Sequence, residues 1–194
     1  GVRGDEEAWE QDWDVMPIRE RKDISSLRAL TQELRFPNSA SEITLLILRF
    51  ASDIFQRGIL FMVGDTEFVG LGQFGLEIDG ADEKIREITI HYEESPFLRK
   101  IILEKRPYKG IVERDSGVES MIQEIGGQWP DEFAFFPIIA EGGVVALLYC
   151  DNLTTEEKAA ETEGLEIFID QAGLALEKSL LQRKLQEMEK KTKS

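Results

Sequence analysis

One cysteine, Cys150, and one histidine, His91, are the whole stock of thiol and imidazole in 194 residues. A single thiol cannot form an internal disulfide. One His and one Cys also fall short of the ligand set of a His/Cys zinc site. Cys150 closes the apolar run VVALLYC, which predicts a buried, inert thiol rather than a nucleophile. His91 ends a short strand-like run. A lone imidazole there is a candidate haem ligand or pH-sensitive group, but at a strand end it is more often a partly exposed structural residue. Adjacent carboxylates stand at Glu93-Glu94, Asp131-Glu132 and Glu156-Glu157. Neighbours on a strand point to opposite faces, and acids at helix starts already complement the dipole. Among 38 acidic residues such pairs are expected by chance. Gly70, Gly72 and Gly75 precede no helix start and no GK[ST], which argues against a phosphate loop. Glycines inside a strand instead mark a bulge or a close approach. No catalytic constellation emerges.

The remaining candidates bind rather than react. Phe61, Phe74, Phe97, Tyr108, Phe133 and Phe135 come from elements expected to converge on one side of a sheet. Gln73, His91 and Arg99 would add polar contacts there. The competing reading is that the six rings simply fill a core.

The elements that must position these residues follow from periodicity. Leu27, Leu30 and Leu34 mark one face of a helix that Pro37 stops. Ser39 to Glu42 forms an S-x-x-E capping box, and Ile43, Leu46, Ile47, Phe50 and Ile54 continue it as an apolar stripe to about residue 57. Gly58 is the expected C-cap. ILFMV (59–63) reads as a doubly covered strand, paired through the Gly64-Asp65-Thr66 turn with EFVGLGQFGLEI. On that second strand Phe68, Gly70, Gly72 and Phe74 are expected on one face. Residues 79–84 read as a loop and REITIHY as a strand. Ser95-Pro96 opens a short helix to about Lys105, and Pro107 to Val112 reads as a strand. Ser116 to Glu119 is a second capping box, for a short helix ended by Gly126-Gly127. EFAFFPIIA (132–140) and VVALLYC (144–150) form a hairpin. A third capping box, Thr154 to Glu157, opens a last helix running to about 190, with Leu165, Phe168, Ile169, Ala172 and Leu176 as its stripe. Beyond it Leu174, Leu181 and Met188 recur every seven residues, with Leu185 beside them. That spacing calls for a partner helix, from a second copy or from the Leu27–Leu34 stripe.

This order predicts an α+β fold with a mainly antiparallel sheet. Its long first and last helices share one face, and the short middle helices cover the other. Residues 1–22, acidic and carrying Trp9 and Trp13, read as a linker or docking arm. Residues 23–190 form one domain with a core of about 41–180. Lys and Arg number 23 against 38 acids, a net charge of −15. Phosphate backbones and anionic membranes are disfavoured by that sign. With 42% hydrophobic residues a disordered chain is excluded, while no apolar run nears the ~20 residues of a bilayer span. The expectation is a soluble cytoplasmic protein, with Gly1 suggesting a piece of a longer chain.

Residues 41–180 resemble a GAF domain, the small-molecule sensing module of signalling proteins. The resemblance rests on ITLLILRFASDIFQRGILFMVGDTEFVGLGQFG, on ITIHYEESPFLRKIILEKRPYKG and on the closing hairpin FFPIIAEGGVVALLYCDN. In that hairpin Pro137, Ile138, Gly142 or Gly143 and Leu148 fall in line, while Ala146 stands where the family usually has glycine. A PAS domain, the nearest rival, usually lacks the long helix leading into the first hairpin. The resemblance implies a non-enzymatic sensory or regulatory domain of a bacterial signalling protein. Such a domain binds a small molecule or partner and is dimeric through its terminal helices. The alternative is a ligand-free dimerisation module. The family's methionine-sulfoxide reductases need several cysteines, its bilin binders a cysteine beside a histidine, and its cyclic-nucleotide binders N-K-x-F-D-E. None of these is present, so the ligand is left unnamed.

Overall fold

Strands with no polar face must be covered on both sides, and here they occupy the middle of the sheet. The computed structural model describes residues 27–34, 39–153 and 161–194. Its elements are α1 (Ala40–Ser52), β1 (Arg57–Val63), β2 (Glu67–Phe74), α2 (Ala81–Glu87), β3 (Thr89–His91), α3 (Pro96–Glu104), β4 (Tyr108–Gly110), α4 (Ser116–Glu124), β5 (Phe133–Ala140), β6 (Gly143–Asp151) and α5 (Glu163–Thr192). A 3-10 turn, Tyr92–Glu94, precedes α3. The six strands run in the order β3-β2-β1-β6-β5-β4, and every neighbouring pair is antiparallel. The α+β expectation holds.

On one face lie α1 and α5, side by side. Ser39 caps α1 by accepting from the Glu42 N–H at 3.2 Å. The predicted stripe turns Ile43, Leu46, Ile47 and Phe50 inward. Phe50 stacks on Phe168 of α5 with centroids 5.0 Å apart. Gly173 brings α5 close to the sheet: a Cβ there would lie 2.2 Å from the Ile139 carbonyl oxygen. Residues 27–33 are helical, and Leu27, Leu30 and Leu34 join this same core. The first leucine stripe therefore docks on its own domain.

Three short helices cover the other face. α2 lies across β2, where Gly70 leaves no room for a side chain; a Cβ would be 1.9 Å from the Ile85 carbonyl oxygen. α3 starts as read, with Ser95 accepting from the Leu98 N–H at 3.2 Å and Pro96 in the first turn.

Four local expectations are corrected. α1 ends at Ser52, not near 57, because Arg57 and Gly58 already pair with Asp151 and Cys150 of β6. Gly58 is thus a strand residue whose missing side chain makes room for the Phe74 ring. The second concerns β2, where Leu60 pairs with Gly72 but Phe61 with Gly70, leaving Leu71 as an extra residue. That bulge inverts the alternation, so Phe68 faces the short helices while Phe74 faces α1 and α5. Third, residues 81–87 are a helix rather than a loop followed by strand. Only Ile85 of α2 is buried, too little periodicity to read, and the helix is fixed by docking on Gly70. Fourth, Asp115 caps α4, accepting from the Val118 N–H at 2.8 Å, while the Ser116 hydroxyl donates to the Glu94 carbonyl. Residues 1–22, Pro37 and the Thr154 capping box lie outside the described residues.

Candidate functional site

Between the sheet and the short helices lies an aromatic cluster. It is built by alternation: Phe133 and Phe135 of β5 and Tyr149 of β6 all turn to this face. Tyr108 of β4 sits opposite Phe135 in register. Phe97, in the first turn of α3, closes the cluster from above. Its centroid is 5.1 Å from Tyr108 and 5.5 Å from Phe135. Phe133 stacks on Phe135 at 6.2 Å, Tyr149 stands 5.1 Å from Phe135, and Trp129 meets Phe133 edge-on at 5.0 Å. Phe61 is buried in the same layer. Such edge and offset contacts are the preferred geometry of filled aromatic cores.

Five of the nine residues read as ligand contacts therefore come together: Phe61, Phe97, Tyr108, Phe133 and Phe135. Four do not join them. Phe74 sits on the opposite face, switched there by the Leu71 bulge. Gln73 is spent at a corner, donating to Asp82 at 2.8 Å and accepting from the Leu76 N–H at 3.2 Å. His91 is exposed on edge strand β3, 3.6 Å from Glu67. Arg99 is on the exposed side of α3.

A buried polar set flanks the cluster, and sequence reasoning missed it. Arg57 opens β1 directly opposite Asp151, the last residue of β6. Its guanidinium donates to both Asp151 carboxylate oxygens, at 2.7 and 3.1 Å, and to the Ile125 carbonyl at 3.2 Å. Asp151 is 1% exposed and also accepts from the Tyr149 hydroxyl and from the Leu153 N–H. Every strong group is matched, as burial of charge demands. A signal did exist: 149 and 151 share a face by period two, and a charged residue enters an apolar strand at 57.

Two surface cavities adjoin this face. One, about 180 Å³, opens beside Arg57 between Gly75, Glu77, Ile125, Gly126 and Gln128. The other, about 450 Å³, runs along α4, where Arg114 lies 4.3 Å over the Trp129 ring. Among the described residues no cluster of three or more His, Cys, Asp or Glu could hold a metal.

Cys150 turns to the α1/α5 core and is fully buried. Burial, reinforced by Asp151, pushes its thiol well above the ordinary range; burial and then Asp151 do the same to Tyr149. Both groups are held neutral in the fold, whereas in the unfolded chain they ionise at about 9 and about 10. Their contribution to stability is full below about pH 9 and drains as pH rises further, by about 1.4 kcal/mol per pH unit for each ionising group. Urea midpoints should therefore fall from pH 9 upward, and Cys150→Ala should flatten the first part of that fall. Midpoints level to pH 10.5 would show that neither group is sealed.

No family model and no curated protein matches the sequence. Solved structures do match the fold. The GAF domain of a phosphoenolpyruvate-protein phosphotransferase from Coxiella burnetii aligns with TM-score 0.60 at 17% identity, over 87% of this chain and 98% of that one. A methyl-accepting chemotaxis protein fragment gives 0.64 at 14%, over 81% and 99%. A phycoerythrobilin-bound GAF domain from a cyanobacterial phytochrome gives 0.62 at 14%, over 84% and 99%. The chain has a GAF-like fold.

Proposed function

We propose that this is a non-enzymatic regulatory domain of a bacterial signal-transduction protein, acting in the cytoplasm as a dimer through its terminal helices. An event at the short-helix face, binding of a small molecule or partner, shifts how α1 and α5 sit on the sheet. The carrying observation is the division of α5. Leu165, Phe168, Ile169, Ala172 and Leu176 anchor its first half in the domain core, whereas Leu181, Leu185 and Met188 of its second half are exposed. One rigid helix thus joins the core to a surface suited to a partner. The names of similar folds, a chemotaxis protein and a phytochrome among them, support the signalling context. The cavities beside Arg57 and along α4 are the places for an effector. Covalent attachment through Cys150 is disfavoured, since that thiol lies on the α1/α5 side.

The ring-on-ring filling of the aromatic cluster favours a second reading, a dimerisation module that takes no ligand in its interior. Native mass spectrometry of the purified domain separates the two: a retained small molecule supports the first.

The dimer itself is tested by light scattering across a concentration series. Burying a leucine contributes on the order of 2 kcal/mol. Leu181→Glu with Leu185→Glu should therefore weaken association by at least about 100-fold. A wild-type chain that stays monomeric at high concentration, or a double variant that stays dimeric, would refute the interface.

A further inference from the structure

The open stripe of α5 begins earlier than its exposed tail. Ile167 belongs to the same seven-residue series as Leu174, Leu181 and Met188. All four are exposed, Ile167 by 41% and Leu174 by 66%, although the first two lie on the half of α5 that packs on the sheet. The stripe therefore runs along the solvent side of the whole helix, about 32 Å at 1.5 Å per residue. With these four as one seam position of a heptad, Gln171, Lys178, Leu185 and Thr192 occupy the other. Residues 27–33 form one wall of this seam, Thr31 donating to Gln171 at 3.0 Å, and still leave Ile167 and Leu174 open.

Charge along α5 is segregated. Every charged residue from 163 to 177 is acidic; from 178 to 193 six are basic and two acidic. The helix dipole favours acids at the start and bases at the end, but only within the first and last turns. Asp170, Glu177, Lys178, Arg183 and Lys184 lie between them. The seam's flanking edge reads Asp170, Glu177, Lys184, Lys191. Two copies aligned in parallel would set the acidic halves together and the basic halves together. Lys178 would face Lys178 in the seam, and only Lys184 with Glu189 would attract across it. Reversing one copy places edge against like edge, Asp170 beside Lys191 and Glu177 beside Lys184, each twice by symmetry. Leu185 then packs on Leu174, and Lys178 lies along Leu181 with its amine free to reach water. Lys184 meets Glu141 of its own chain at 3.3 Å, an exposed pair that contributes little and is readily exchanged.

We propose that the occupant of this stripe is a second copy of the chain docked antiparallel, each tail covering the Ile167 and Leu174 of the other. This rests on the dimeric regulatory reading above and adds its geometry. A shift of α5 on one sheet is then felt by the tail resting on it from the other copy, so the relay crosses between the two domains.

The test uses the full chain carrying Cys150→Ser, with Leu174→Cys or Leu185→Cys added and one of the two lengthened by a tag. Under mild oxidation the mixture should give the mixed cross-linked dimer, and each variant alone little. Cross-linking of each variant with itself would establish a parallel pair, overturning the orientation while leaving the dimer standing. A dimer that cross-links in no combination places the interface elsewhere and overturns the proposal. A monomer by light scattering overturns both readings. As a second arm, Glu177→Lys should weaken its own association at least tenfold at low salt. Mixing it with Lys184→Glu should restore association; no recovery overturns the charge pairing.

Discussion

Asp151→Ala should lower the unfolding free energy by on the order of 3–5 kcal/mol, because it leaves the Arg57 guanidinium buried without its counter-charge. The carboxylate it removes takes two bonds from Arg57, at 2.7 and 3.1 Å, and one from the Tyr149 hydroxyl. Against a total stability of about 5–15 kcal/mol this is a large fraction. The double replacement Arg57→Leu with Asp151→Leu should recover part of the loss: it removes the unpaired buried guanidinium, while the buried Tyr149 hydroxyl still lacks its Asp151 acceptor. Urea unfolding at unchanged slope is the measurement. A single variant within about 1 kcal/mol of wild type would mean that water reaches the pair.

Gly173→Ala sets two effects of opposite sign against each other. Inside a helix, alanine is favoured over glycine by about 1 kcal/mol. At this position, however, the added methyl would stand 2.2 Å from the Ile139 carbonyl oxygen, a backbone atom of β5 that cannot turn aside. Overpacking of this kind costs about 1–3 kcal/mol. Destabilisation is expected, with α5 displaced from the sheet. Thermal melts give the sign, and a stabilised variant would show that α5 does not sit this close to β5.

The architecture was legible where a pattern is long and one-sided. The stripe from Ile43 to Phe50 and that from Leu165 to Leu176 each demanded a common surface, and α1 and α5 share one. The apolar strands at 59–63, 133–140 and 144–150 had to be central. What escaped was set by partners distant in sequence. Nothing local distinguishes Leu71 as a bulge, because the extra residue is defined only by the register of β1 against β2, and the face of Phe74 depends on it. The Arg57–Asp151 pair needed the register between strands more than ninety positions apart. α2, with one buried residue, is a helix by virtue of what it covers. Among the ligand candidates, those on the inner side of β1, β4, β5 and α3 converge. His91 and Arg99 are candidates by residue type alone, and type does not fix the face.

Asp115 occupies a place where two helices begin. One of its carboxylate oxygens takes the Ser95 hydroxyl at 2.8 Å and the Phe97 N–H at 3.2 Å; the other takes the Val118 N–H at 2.8 Å. Gly117 allows the contact to close, since a Cβ there would lie 2.6 Å from that of Ser95. α3 keeps Ser95 as its own cap, accepting from the Leu98 N–H. Asp115, the cap of α4, holds that serine hydroxyl and one further N–H of the α3 start, so loss of this carboxylate uncaps α4 and loosens the start of α3. That bridge couples their local opening, although a strand and a loop separate them in sequence. The cover over the aromatic cluster is thus pinned at one point where both helices begin, and disturbing that point disturbs both.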